Sequence, residues 1–362
     1  MRKKFPNRSQ YSKNGRMNSW FNFLNHGLFR AFIGCCIALM LAYGALFFWP
    51  VVPNTSNPIE SAPKGYKVKI LPHSGISSIA SQLQSQGVRT WDWVFQLSSR
   101  MLFVGTKLKP GTYVLPLNSS LGAVLMQLAR GDRVRESVAI IPGMTIWQVR
   151  ALIDSHPALT HITRGINSNE LLSQLGLKYP GDEGIFYPDT YIFDPDDEDI
   201  AVYRWASQAM QRHLLGAWNE KNPQSPIKNP YELLILASII EKETGQRSDR
   251  KLIAAVFTNR LNKGMLLQTD PTVIYGIGPK FDGNLHKSDL RKDIPYNTYM
   301  RPGLPPTPIC MPSQESLMAA AQPANDPSLY FVAKGDGSSY FSKTLGEHED
   351  AVDQFQRKKI KK

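Results

Sequence analysis

Cysteine is scarce, with three in 362 residues. Cys35 and Cys36 sit in an apolar run and Cys310 stands alone, so no disulfide framework is available. Cys310 has no histidine near it in sequence and reads as an inert buried thiol. The seven histidines are scattered, and no Cys/His group has metal-ligand spacing, which predicts no structural zinc. There is no P-loop, no H-E-x-x-H and no G-x-S-x-G elbow, and no cofactor is expected. Tandem repeats at solenoid periods are also missing.

The body of the chain lacks net charge. The formal charge is +12, but residues 1–30 hold seven Lys/Arg and no acid, and Arg357, Lys358, Lys359, Lys361 and Lys362 crowd the end. Residues 31–356 are therefore neutral overall, which excludes a basic nucleic-acid-binding body. Hydrophobic residues make up 42% and charged residues 20%, enough for real cores.

Ala31–Val52 carries no charge and exceeds the about 20 apolar residues that cross a bilayer as a helix. Phe48 and Trp49 lie at its far end, as in an aromatic belt, and the positive charges precede it. This places a basic tail, 1–30, in the cytoplasm and everything after Val52 outside the membrane. The run is longer than a signal peptide's apolar region and lacks a small-x-small cleavage site after it. It also continues well beyond Cys35, unlike a lipidated N-terminus.

Residues 53–65, rich in Pro, Ser and Asn, read as a linker. A strand–helix–helix–strand unit follows: Tyr66–Leu71, Gly75–Gln86, Trp91–Leu102 and Lys109–Leu117. A further helix, Ser119–Arg130, has a Ser N-cap and a Gly131 stop. Beyond it are a short strand at Val138, a helix from Thr145, a less regular polar stretch at 155–180, a structured loop at Gly184–Phe193, and a helix at Ile200–Trp218. The C-terminal third has strand-like pieces at Thr272–Tyr275 and Tyr330–Ala333, the latter pairing with Ser338–Ser342 across Gly335–Asp336–Gly337. The fold class is α+β.

Asn229–Pro230 opens a helix that is apolar on almost every face and stops at Gly245. A second helix runs from Ser248–Asp249 to Asn262. Glu241 and Glu243 end the first helix. Burial and the negative helix C-terminus both disfavour an anion at Glu241, as a general acid requires. Small Ala237 and Ser238 beside it suggest room for a substrate. Glu241–Lys242–Glu243 reads equally as a solvated helix end, with Lys242 and Arg247 offsetting the acids. Gln268–Thr269–Asp270–Pro271 suits sugar hydroxyls or a plain turn before a strand. Tyr296–Asn297–Thr298–Tyr299 suits carbohydrate stacking or simple packing.

These segments are similar to a known family. LASIIEKET (236–244), VFTNRLNKGMLLQTDPTVIYGIG (256–278), YNTY (296–299), GLPP (303–306) and EGIFYPDTY (183–191) resemble the YceG-like endolytic murein transglycosylases. The late LYFVAKGDGSSYFS fits too. The resemblance covers roughly 66–355. It implies a LysM-like subdomain at 66–135, a catalytic domain at 136–355, and a basic tail at 356–362. It implies internal cleavage of nascent peptidoglycan glycan strands, at the cytoplasmic (inner) membrane, with peptidoglycan synthases as partners. By the same resemblance Glu241 is the catalytic acid, then the base that lets a C6 hydroxyl close a 1,6-anhydro ring. Gln268, Asp270, Tyr296 and Asn297 fall to substrate binding. After GLPP the chain reads TPICMP (307–312), where the family more typically has Gly and an Asn-Pro-Gly-like turn, so no site residue is carried over beyond Pro306. Two other readings stand: a glycoside hydrolase pairing Glu241 with Asp270 or Asp189, and a non-catalytic glycan-binding scaffold.

Overall fold

The structure is a computed structural model that describes residues 15–55, 65–243, 246 and 248–357. The outer parts of both basic tails, most of the expected linker, and Thr244, Gly245 and Arg247 lie outside the described residues. The chain divides into two units, Met1–Val134 and Arg135–Lys362. Its content is mixed α+β.

The first unit begins with α1 (Gly15–Phe48). Its Gly27–Leu46 stretch, with mean hydropathy 1.9, is long and apolar enough to cross a membrane. The helix starts at Gly15, so the later half of the basic tail is helical. The expected end of the span is corrected: the helix ends at Phe48, before Val52. Val51 and Val52 instead join the core of the first unit, and both their amides donate to the Ser119 carbonyl. Pro50 breaks the helix because it lacks an N–H and forms a bridge with Ser120.

That core is built by β1 (Tyr66–Ile70), α2 (Ile76–Ser85), α3 (Asp92–Met101), β2 (Gly111–Leu115) and α4 (Leu121–Arg130). The strands pair antiparallel, Tyr66 opposite Leu115 and Ile70 opposite Gly111. Alternation sends Val68 and Ile70 inward onto Ile79, Leu83 and Phe95. Ser120 accepts from the Ala123 amide, and Gly131 ends α4 in the left-handed region with φ 78°.

The second unit opens with β3 (Glu136–Ala139), α5 (Ile146–Asp154), β4 (Leu159–Thr160), α6 (Ser168–Leu175), β5 (Thr190–Phe193) and β6 (Asp197–Glu198). β3 pairs antiparallel with β5, and β4 parallel with β6. The Gly184–Phe193 stretch is thus loop first and strand from Thr190. α6 lies in a region that reads as irregular; its Asn167 cap and Gly176 stop enclose a helix of only eight residues.

Four helices carry the core: α7 (Asp199–Asn219), α8 (Pro230–Glu243), α9 (Arg250–Asn262) and, after α10 (Asp270–Ile277), α11 (Gln314–Ala321). α7, α9 and α11 pack with α8, whose residues Leu233–Ile240 are all buried. β7 (Tyr330–Ala333) and β8 (Ser339–Ser342) form the hairpin, and α12 (Leu345–Val352) follows. The strand expected at Thr272–Tyr275 is α10. Pro271 sits in its first turn with Asp270, and Thr272 Oγ1 donates to the Thr269 carbonyl at 2.8 Å, closing that turn. The β-branched pair Thr272–Val273 is buried on the helix.

Candidate active site

α8 is capped from its own sequence. The Glu232 amide donates to Asn229 Oδ1 at 2.9 Å, and the Lys228 amide donates back to Glu232 Oε2 at 2.8 Å. Eight consecutive buried residues then lead to the two acids. The space beside Ala237 and Ser238 is filled. Ser238 Oγ donates to the Ile235 carbonyl and accepts from the Ile309 amide at 3.0 Å, while Cys310 Sγ meets the Ser238 carbonyl at 3.3 Å. The expected room for substrate at those residues is therefore corrected. Burial pushes the Cys310 thiol well up, which keeps it inert.

Gly184 holds the other side of this loop. It has φ +78°, and a Cβ there would lie 2.4 Å from Pro308 Cβ. Gly184→Ala combines a left-handed backbone with overpacking, for an expected loss of about 3 kcal/mol. Urea unfolding measures it, and an unchanged midpoint would contradict the close packing of Gly184 on Pro308.

Glu241 and Glu243 are two residues apart, so at about 100° per residue they point to nearly opposite sides of α8. Glu241 is only 8% exposed. Its Oε2 accepts from the Ser313 amide at 2.9 Å and from Ser313 Oγ at 2.5 Å. Its Oε1 lies 3.7 Å from Arg250 Nη2. Ser313 is also the N-cap of α11, accepting from the Ser316 amide, so Glu241 faces a positive helix terminus. The two effects foreseen from α8 alone are opposed here: the Ser313 donors, the α11 terminus and the Arg250 cation all favour the carboxylate. Beside Arg250 is a cavity of about 370 Å³, also lined by Gln314 and Lys251.

Glu243 faces another cavity, of about 390 Å³, with Gln268, Asp270, Tyr299, Arg260 and His348. Its Oε1 accepts from the Thr269 hydroxyl. Burial pushes its carboxyl up to about 7, helped by nearby Asp270 and opposed by Thr269 and Arg260. Asp270 accepts from the Tyr299 hydroxyl. Gln268 is exposed and sits at φ 53°, an uncommon conformation for a residue with a side chain. Arg260 reaches it at 3.4 Å.

The other two expected ligands are elsewhere. Tyr296 hydrogen-bonds Thr307 Oγ1 at 2.8 Å and packs edge-on to Tyr275. Asn297 is fully buried. Its Nδ2 donates to the carbonyls of Asp289, Leu290 and Lys292, and its Oδ1 accepts from the Tyr299 amide. Gln268 and Asp270 therefore gather around Glu243, Tyr296 joins an aromatic cluster, and Asn297 organises its own loop.

Glu183 lies in that aromatic neighbourhood, 3% exposed. Both its oxygens accept from the Ile146 amide at the start of α5. Burial pushes its carboxyl up to about 8. The Ile146 and Gly184 amides and the Tyr275 hydroxyl pull it down, and Asp182 raises it further.

Residues 68–354 match the profile of the YceG-like family. The chain belongs to that family. It is 29% identical over 331 residues to the endolytic murein transglycosylase of Bacillus subtilis, spanning 86% of this chain and 89% of that protein. It is 27% identical to the endolytic murein transglycosylase of Streptococcus pneumoniae strain D39, over 89% of this chain and 64% of that longer protein. A crystal structure of a yceG-like protein from Listeria monocytogenes superposes with a TM-score of 0.52 at 30% identity, covering 80% of this chain and 99% of that one.

In this YceG-like chain, sequence reasoning missed Arg250 and Ser313, and named Tyr299 only as part of its aromatic loop. Ser313 carried a signal, since Ser before an apolar helix is a cap, but nothing local ties it to Glu241 seventy residues earlier. Glu183 lay inside a quoted motif without a role. Among the described residues, Asp154, His161 and Asp199 bring ligand atoms together. Asp199 is already used by the amides of Ile162 and Thr163 and the Thr163 hydroxyl, which suits a structural tie between β4 and α7 better than a metal centre.

Glu183 also sets a pH prediction. An unfolded Glu titrates near ~4.3. Between that value and about 8 the folded chain holds a proton that the unfolded chain releases. Stability then falls as pH rises through this window, by up to ~1.4 kcal/mol per pH unit, and Glu243 adds the same sign up to about 7. Thermal melts at stepped pH should show Tm dropping across it, and Glu183→Gln should flatten the drop. A Tm constant across the window contradicts the assignment.

Proposed function

We propose that this chain is a membrane-anchored endolytic peptidoglycan lytic transglycosylase with Glu241 as its acid and base. Family membership and the names of its relatives support the reaction class. The observation that carries the residue assignment is the placement of Glu241. It ends a buried helix, one oxygen is fixed by two Ser313 donors, and the other is free of hydrogen bonds among the described residues.

In this reading Oε1 carries the proton to the glycosidic oxygen after N-acetylmuramic acid. Arg250 then faces the anion left behind. That anion takes the proton of the C6 hydroxyl of the same sugar, which closes to a 1,6-anhydro end. The nucleophile is intramolecular, with an effective concentration far above that of any dissolved alcohol. No second carboxylate is needed to activate water, unlike in hydrolases. Gln268 and Asp270 hold sugar hydroxyls farther along the strand, in the cavity beside Glu243, while Tyr296 and Asn297 act by holding their own loops in place. Gly27–Leu46 anchors the protein with its basic N-terminal side in the cytoplasm, so the chain after α1 works on the far side of the membrane, next to the peptidoglycan synthases that make the strands. The β1–α2–α3–β2 unit is LysM-like and contributes glycan binding.

A second reading places the acid at Glu243, and a specific observation favours it: Glu243 shares its cavity with Gln268 and Asp270 and titrates at about 7.

The test is digestion of nascent, uncrosslinked glycan strands by the full chain, with products read by mass spectrometry. Anhydro ends are expected. Reducing ends would give the hydrolase reading, and binding without cleavage would give the scaffold reading.

A further inference from the structure

The first unit exposes an apolar face beside its membrane helix. Trp91 and Trp93 are 68% and 66% exposed, and Leu97 is more than half exposed, all on or next to α3. With Ala42, Ala45 and Leu46 of α1 they line a groove of about 630 Å³. Soluble surfaces seldom leave such a patch uncovered.

The connection between α1 and this face is short and fixed. Trp49 N–H still donates to the Ala45 carbonyl. Two residues on, Val51 and Val52 are pinned by their amides to the Ser119 carbonyl, and the Arg89 amide donates to the Val51 carbonyl at 2.8 Å. Both valines are core residues, so no free linker separates the helix from the body that carries α3.

Depth then follows from length. A bilayer core needs about 20 helical residues, or ~30 Å. The apolar stretch Gly27–Leu46 has 20 residues. Ending the span before Ala42 would leave only about 22 Å of that apolar stretch, too little to cross. Ala42, Ala45 and Leu46 must therefore lie within the bilayer, and the α3 residues that share a groove with them lie at the same depth. Exposed Arg89 borders that groove and suits headgroup phosphates.

We infer that the Trp91–Trp93–Leu97 face of α3 is a membrane-docking surface, covered by lipid acyl chains of the outer leaflet. This holds the first unit flat on the bilayer. The inference rests on the anchor reading of α1 given above.

The test uses the full chain in phosphatidylethanolamine–phosphatidylglycerol vesicles. Cys35 and Cys36 are changed to Ala and Cys310 to Ser. Single fluorophores are placed at Trp93→Cys, Leu97→Cys, Leu39→Cys and Lys67→Cys. Lys67 lies on the strand face opposite the Val68–Ile70 core side. Lipids carrying a nitroxide near the headgroup should quench positions 93 and 97 at least two-fold more than position 67, and lipids carrying it deep in the chain should quench position 39. Quenching at 39 with 93 and 97 no different from 67 would overturn the docking and leave the anchor intact. No quenching at 39 would overturn the anchor and the docking together. Contact between labels at position 93 that grows with protein density, in place of lipid quenching, would put a second copy on the face and overturn the lipid assignment.

Discussion

Glu241→Gln is expected to lower release of anhydro ends by ~10²–10⁴-fold while leaving the fold in place. The amide oxygen keeps an acceptor for the Ser313 amide, and the volume is unchanged, so Tm should move little. What is lost is the transferable proton and the anion that receives the C6 proton. Glu243→Gln provides the contrast. On the Glu241 account it retains activity within about ten-fold of the wild type, because it alters a wall of the neighbouring cavity and not the proton path. If Glu243 were the acid, that variant would be the dead one, and wild-type activity would fall as pH rises through about 7. The two variants, each with its pH profile, separate these readings.

Asn297→Ala is expected to cost about 3 kcal/mol of stability. Asn297 is 0% exposed, and truncation would leave three carbonyls and one amide short of a partner inside the fold. Against a total of roughly 5–15 kcal/mol this is a visible drop in the urea midpoint. A ligand role would give the opposite pattern, with stability unchanged and KM raised. The expected result is lost stability, with kcat and KM near normal in the fraction that remains folded.

Asn297 also shows where sequence reasoning runs out. Residue type leaves Tyr-Asn-Thr-Tyr open between sugar stacking and packing, and the resemblance gives Asn297 to substrate, yet the amide is used by carbonyls five to eight residues earlier, which no pattern announces. The start and buried run of α8 were legible, since its cap, its Pro and its unbroken apolar run are all local. The β1–α2–α3–β2 unit was legible because its periodicities change at Gly and Pro. α10 was misread because Thr-Val-Ile-Tyr favours strands, while the deciding signal was Pro271 in a helical first turn. Glu241 could be singled out from its helix, but its environment could not. Ser313 and Arg250 reach it from α11 and α9, and only the packing of three helices brings them there. The end of α1 was placed four residues late because Val51 and Val52 are as apolar as the span itself, and only Ser119 reveals that they belong to a protein core.

On the proposed mechanism the sugar's own hydroxyl, and not water, attacks the bond whose oxygen Glu241 protonates. Digestion of glycan strands in heavy-oxygen water tests it most directly, with each new end weighed by mass spectrometry. Ends one water lighter than reducing sugars, with no heavy oxygen incorporated, are expected. Reducing ends that carry the heavy isotope would contradict it, because water would then have been the nucleophile and a second carboxylate would have to be found to activate it.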